Sequence, residues 1–291
     1  MSGRGLDHLV VATADLDAAA KAWDRLGFQV GAENRHPFGT KNRIIQFPGF
    51  FIELLAVADA SVIVPTVGRT FSFAAFNQDV LAGTGEGPSM LVLESHNARL
   101  DAAAFASAGI GDFEPFFFER RGMRPNGTET HVAFTLAFAR DAGMADAGFF
   151  ACQHHRPDDF WNSESQSHSN GAAAIASVIL TAENPTDHHI FLSAFTGIRD
   201  FVSTSTGLVF KTSRGAVEVM TPVAFARRCG VMVDDVPRIR GLRLKVPNLD
   251  ETALRFEANG VPAVRRGDWL IVGPEDVCGT VVVFEQSKLG M

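Results

Sequence analysis

Two stretches decide how this chain folds: Leu6-Asp7-His8-Leu9-Val10-Val11, an apolar strand with one histidine, and Gly49-Phe50-Phe51-Ile52-Glu53-Leu54-Leu55, an apolar strand with one glutamate. An amphipathic helix and two short strands lie between them. That order puts an imidazole and a carboxylate on the first and last strands of one small curled sheet, facing the same hollow. Asp15 suits the helix N-cap, where its carboxylate meets orphan N–H groups. Gly27 stands where the helix would end in a left-handed conformation.

The same grammar recurs three times. Met90-Leu91-Val92-Leu93 is followed by Asn97 and Gly109. Ser177-Val178-Ile179-Leu180 is followed by Asn184, Pro185 and Gly197, and Gly241-Leu242-Arg243-Leu244 by Asn248 and Gly260. Strand-like segments follow each copy, at 43–47 and 50–55, 113–119, 130–139 and 149–153, 207–212 and 216–220, and 269–272 and 280–285. A lone βαβββ unit cannot bury both faces of its sheet, so units must pair with helices outside. The expected fold is therefore α+β, four βαβββ modules paired into two curled mixed sheets. The expected domains are residues 1–157 and 171–291, with the polar stretch 158–170 as linker. Unit one could pair with unit two or with unit four. The stretch 57–87 reads as partly irregular, with Gly83, Gly85 and Gly87 near its end.

A net charge of −7 and a pI near 5.7 leave no basic stripe for nucleic acid or an anionic membrane. No apolar run approaches the roughly 18 residues of a membrane span. The opening residues lack a leader's apolar core, and Cys152, Cys229 and Cys278 are too few and too scattered for a disulfide framework, so a cytoplasmic location is expected. With 25 Phe and no Tyr, any phenolic acid or ligand is excluded.

The pattern resembles the vicinal-oxygen-chelate superfamily of glyoxalase I, the extradiol dioxygenases and bleomycin-resistance proteins. More narrowly it is similar to glyoxalase-like proteins that open on Leu-Asp-His. The residues that carry the likeness are Leu6-Asp7-His8, His36-Pro37-Phe38-Gly39-Thr40-Lys41-Asn42, Ile52-Glu53-Leu54-Leu55, Phe149-Phe150-Ala151-Cys152-Gln153-His154 and His168-Ser169-Asn170-Gly171-Ala172. The resemblance implies a cup holding a divalent metal (Fe, Mn, Zn or Ni) with ligands from the outer strands of two units. Mapped here, these are His8 and Glu53 from unit one and, from unit two, the position of Met90 and the end of the strand at 149–155. Aligning Phe50-Phe51 on Phe149-Phe150 sets Cys152 opposite Glu53, and alternation puts His154 on that same face. His8, Glu53 and His154 would then form a two-histidine, one-carboxylate set.

His36, Thr40 and Asn42 read either as a tight turn or as donors to an oxygen-rich substrate. His168 and Asn170 read as a turn or as a lid. In the second half, Ser177 and Gly241 replace His8, while Glu218 and Glu285 hold last-strand positions, which suggests a structural or dimerising half without metal. His188-His189 diverge on a helix and make no joint site. Arg120-Arg121-Arg124 and Arg265-Arg266 read as solvated loop charges. The expected function is a metal-dependent enzyme on a small oxygen-rich metabolite, of isomerase, lyase or extradiol-dioxygenase type, with Glu53 moving a proton. The alternative is a metal-free sequestration protein whose cup draws on Phe50, Phe51, Phe116, Phe117, Phe118, Phe149 and Phe150.

Overall fold

The computed structural model describes residues 3–123 and 127–287; Arg124 lies outside them. The first module is β1 (Leu6–Ala12), α1 (Leu16–Arg25), β2 (Asn34–Arg35), β3 (Thr40–Phe47) and β4 (Phe50–Val57). After α2 (Phe73–Thr84) comes the second: β5 (Gly87–Glu94), α3 (Ala98–Ser107), β6 (Phe116–Met123), β7 (Glu129–Ala139) and β8 (Gly148–His154). A short α4 (Pro157–Phe160) leads to the third: β9 (Ala174–Thr181), α5 (His189–Thr196), β10 (Val202–Thr204), β11 (Gly207–Lys211) and β12 (Ala216–Met220). After α6 (Pro222–Cys229) the fourth is β13 (Arg238–Val246), α7 (Leu249–Ala258), β14 (Val264–Arg266), β15 (Trp269–Val272) and β16 (Val281–Gln286).

Each pair of modules makes one eight-stranded mixed sheet, ordered β2-β3-β4-β1-β5-β8-β7-β6 and β10-β11-β12-β9-β13-β16-β15-β14. β1 runs antiparallel to β5, and β9 to β13, so unit one joins unit two and unit three joins unit four. The fold is thus α+β, with four βαβββ modules in two curled sheets. Local chemistry sets the helix starts. Asp15 accepts from the backbone N–H groups of Asp17 and Ala18, Asn97 from Leu100, Asn184 from Thr186, and Asn248 from Asp250 and Glu251. Each such cap is worth about 1 kcal/mol.

One continuous core runs under the helix-covered faces of both sheets, from Leu9, Val11, Trp23 and Phe28 to Val178, Leu180 and Phe284. The opposite face of each sheet closes on a smaller cluster, around Val10, Phe51 and Phe150 in the first and Ile179, Phe225 and Trp269 in the second. Two helices that the sequence pattern did not show pack on those concave faces. α2 occupies part of the stretch read as irregular, starting where Ser72 Oγ accepts from Ala75 N and burying Phe73, Ala74, Asn77 and Val80. α6 does the same in the second sheet with Ala224 and Phe225.

The sheets also meet backbone to backbone. A methyl group at Gly279 would lie 1.9 Å from the Glu86 carbonyl oxygen, so only glycine fits beside the start of β5. Among the described residues, no helix is long and apolar enough to cross a membrane.

Candidate metal and substrate site

His8 and Val10 face the concave side of the first sheet, while Leu9 and Val11 join the core behind it. Strict alternation would turn Asp7 away from His8. The β1–β5 register slips between Leu6 and His8, however, and this bulge brings the Asp7 carboxylate round to the cup. Asp7 Oδ2 lies 2.6 Å from His8 Nδ1, and Oδ1 lies 3.1 Å from His154 Nε2. Burial by itself would raise the Asp7 pKa, but the flanking imidazoles, His154 above all, hold it well below the usual carboxylate range. The bond to Nδ1 leaves His8 Nε2 facing Glu53 Oε2 at 3.7 Å, too far for a hydrogen bond.

Glu53 is buried at the centre of β4, and burial raises its pKa despite His8 and a hydrogen bond from Asn42. Asn42 Nδ2 donates to Glu53 Oε1 at 2.5 Å and also faces His36 Nε2 at 3.3 Å. That contact makes Nε2 the acceptor, so His36 Nδ1–H donates to Thr40 Oγ1 at 2.8 Å. Burial and then the Arg120 charge push His36 down to about 3, so it is neutral at pH 7. His36 and Asn42 line the pocket. The Thr40 hydroxyl sits one layer back, fully buried and engaged with His36.

His154 shares the cup face of β8 with Phe150 and Cys152, while His155 turns away to Thr135. Its ring stacks on Trp161, and its Nδ1 is buried without a hydrogen-bond partner. Burial, then Asp7 and Glu53, push the Cys152 thiol well above its ordinary range. Ligand atoms of Asp7, Cys152 and His154 lie within 4.8 Å of one another, close enough to hold a metal ion together. His8 and Glu53 offer a second donor pair beside them. Among the described residues the group of three whose donor atoms converge is Asp7, Cys152 and His154, and with His8 Nε2 and Glu53 beside it this set fits a divalent ion.

The pocket has about 480 Å³ of empty space with its mouth included, and seven phenylalanines stand in its wall. Phe51, Phe118 and Phe150 are among them; Phe50 and Phe149 point into the opposite core, Phe116 packs beside the pocket and Phe117 is exposed. Phe73 comes from α2 and Phe160 from α4, neither legible beforehand. The ladder sets Val92 across from His8 and Met90 across from Val10, and Met90 Sδ is taken up by Asn77 of α2. Arg120 is no loop charge: it lies on β6 and lines the pocket. Arg265 and Arg266 likewise stand on a strand, β14, where Arg265 pairs with Asp250.

The second sheet treats the matching positions differently. Its ladder places Ser177, Arg243, Glu218 and Glu285 where the first has His8, Val92, Glu53 and Cys152. The Arg243 guanidinium donates to Glu218, to Glu285 Oε2 at 2.9 Å and to Ser177 Oγ at 3.2 Å. His168 and Asn170 are a clasp, not a lid: His168 bonds Gln29 N and Gln46 O, and Asn170 bonds Leu26 O, all on the helix side. His188 pairs with Asp141 at 2.7 Å while His189 turns to Thr186 O, so the two are separate.

No curated protein matches the sequence. A hypothetical protein from Staphylococcus aureus is similar in structure, with a TM-score of 0.69 and 14% identity, over 97% of this chain and 99% of that one. A variant of 4-hydroxymandelate synthase from Streptomyces coelicolor aligns at 0.60 and 11% identity, over 100% and 95%. A xylose isomerase-like TIM barrel/4-hydroxyphenylpyruvate dioxygenase fusion protein aligns at 0.57 and 13%, over 100% of this chain and 49% of the other. At such identities these likenesses establish the fold alone. The profile of the glyoxalase-like domain family matches residues 6–196, and the chain belongs to that family of the vicinal-oxygen-chelate superfamily.

Proposed function

We propose that this chain is a metal-dependent enzyme acting on a small, oxygen-rich metabolite in the cup of the first sheet. The observation that carries this is the contrast within one ladder. Glu53 and His8 converge at 3.7 Å and, among the described residues, no arginine or lysine bonds the carboxylate, whereas the matching Glu218 is neutralised by Arg243. A buried carboxylate left without such a partner is costly, and a bound cation would relieve it. His8, Glu53 and His154 would hold the ion, with Asp7 orienting His8 and His154; Asp7 and Cys152 offer the adjoining donors.

When bound, a divalent ion supplies Lewis acidity to two neighbouring substrate oxygens. The chain's residues do the rest. Asn42 fixes Glu53 Oε1, leaving Oε2 to take a proton from a substrate carbon and return it to the adjacent one. His36, held neutral, keeps Asn42 in place through Nε2. The phenylalanine wall excludes water from the exchange. Proton transfer of this kind is isomerase or lyase chemistry; the same ligand set with iron would suit extradiol-type oxygenation.

Metal analysis of the protein as purified and after reloading tests the proposal. One divalent ion per chain, lost in His8→Ala and Glu53→Gln, is the expected result, with iron favouring oxygenation and zinc, nickel or manganese isomerisation. Absence of any ion from the reloaded protein would end it. A second reading, metal-free binding of a hydrophobic compound, draws on the seven-phenylalanine wall and would then take its place. Dimerisation through the second sheet, the division into domains 1–157 and 171–291, and a cytoplasmic location belong to the same proposal.

A further inference from the structure

Among the described residues, Arg120 is the one arginine or lysine in the pocket wall. It arrives there because β6 alternates: Phe116, Phe118 and Arg120 turn inward while Phe117, Glu119 and Arg121 stand in solvent. Its Nη1 donates to Asn34 Oδ1 at 2.9 Å, and its Nε is buried without a hydrogen-bond partner among the described residues. Asn34 Nδ2 in turn faces Asn42 Oδ1 at 3.3 Å, so the guanidinium is anchored to the same chain that orients Glu53. Glu53 is the carboxylate whose charge acts on it, yet among the described residues the two form no ion pair. A guanidinium drawn out of water with donors unused is an unfinished anion site.

Resting on the metal-enzyme reading above, we infer that the substrate is a small monocarboxylate with an apolar body. Its carboxylate binds Arg120, its body lies among Phe38, Phe118 and Phe134, and its reacting end meets His8 and Glu53. The planar fork of arginine matches a carboxylate's two oxygens. A phosphate dianion fits worse, because a single guanidinium would face it while Glu53 adds like charge across the same hollow.

Calorimetric titration of the full chain with acetate, benzoate and phenylacetate, each against its neutral amide, tests this. At least one acid should bind about tenfold or more tighter than its amide. Arg120→Met should erase that preference and Arg120→Lys should keep part of it. Saturable binding of no acid, equal binding of acid and amide, or a preference that survives in a folded Arg120→Met would each overturn the inference. The wild-type comparison, repeated on metal-free protein so that no bound cation can take the carboxylate, decides the matter even if the variant does not fold. Metal content measured on the same samples separates the two readings. Acid preference in a protein that takes up no metal ends the metal reading alone, and metal uptake without acid preference ends this one alone.

Discussion

The two concave faces share a strand order, and of four matched positions one holds glutamate in both while three differ. In the second sheet, an arginine from β13 crosses the hollow and satisfies two glutamates and a serine. In the first, the arginine's place is Val92, and the hollow keeps an imidazole and a carboxylate that face each other without bonding. What differs is the compensating cation: it is covalently built in on one side, and on the proposed reading it is recruited from solution on the other.

That contrast can be broken most forcefully at Arg243. Arg243→Met should cost about 3 kcal/mol in urea unfolding, because it strands Glu218 and Glu285 together in one hollow. The partial exposure of Arg243 keeps the figure at the low end for a broken buried pair. An unchanged midpoint would mean the second cup is not held by its internal cation. Next in size, Asp7→Asn should weaken metal binding by about tenfold to a hundredfold in a calorimetric titration, since Asp7 orients two imidazoles. Cys152→Ala sharpens this result: unchanged affinity points to His8 and Glu53 as ligands, and lost affinity to the set of Asp7, Cys152 and His154.

A smaller effect separates the cups again. Glu53→Gln should leave metal-free stability within about 1 kcal/mol of wild type or raise it, because it removes a buried charge that no arginine or lysine bonds among the described residues and keeps the acceptor for Asn42. A loss as large as that of Arg243→Met would erase the distinction. The smallest effect is in pH. His36 and His168 are held neutral by burial, their folded values lying below the ordinary histidine range. Below about pH 6.5 the unfolded chain therefore binds protons that the folded one refuses. Stability present above that pH is lost as pH falls toward the folded values. His168→Gln should flatten the fall of the melting temperature between about pH 7.5 and 5.5, and an unaltered slope would assign the loss elsewhere. No histidine stands beyond His189, so the second cup should contribute nothing to it.

The architecture was legible because its signals are local. Asp15, Asn97, Asn184 and Asn248 each start a helix with a side-chain oxygen, and Gly27, Gly109, Gly197 and Gly260 each follow one with positive φ. His8 and Glu53 could be paired on alternation alone. Asp7 could not, since a bulge is a property of two strands in register and one strand's sequence does not carry it. α2 escaped notice because Phe73-Ala74-Ala75-Phe76 is apolar without a clean stripe, and the glycines that end it look like loop. Arg120 escaped because Arg120-Arg121 looks uniformly polar until β6 alternation assigns one to the wall and the other to water.

The glycine at 279 gives the arginine-filled half a mechanical role. Its backbone lies directly against Glu86, whose side chain also binds Thr13 and Ala14 beyond β1. Close-packed main chains yield little, so displacement at one contact is felt along the strands that leave it. The second sheet thereby serves as a splint, bracing β1, the strand that carries His8, at its far end.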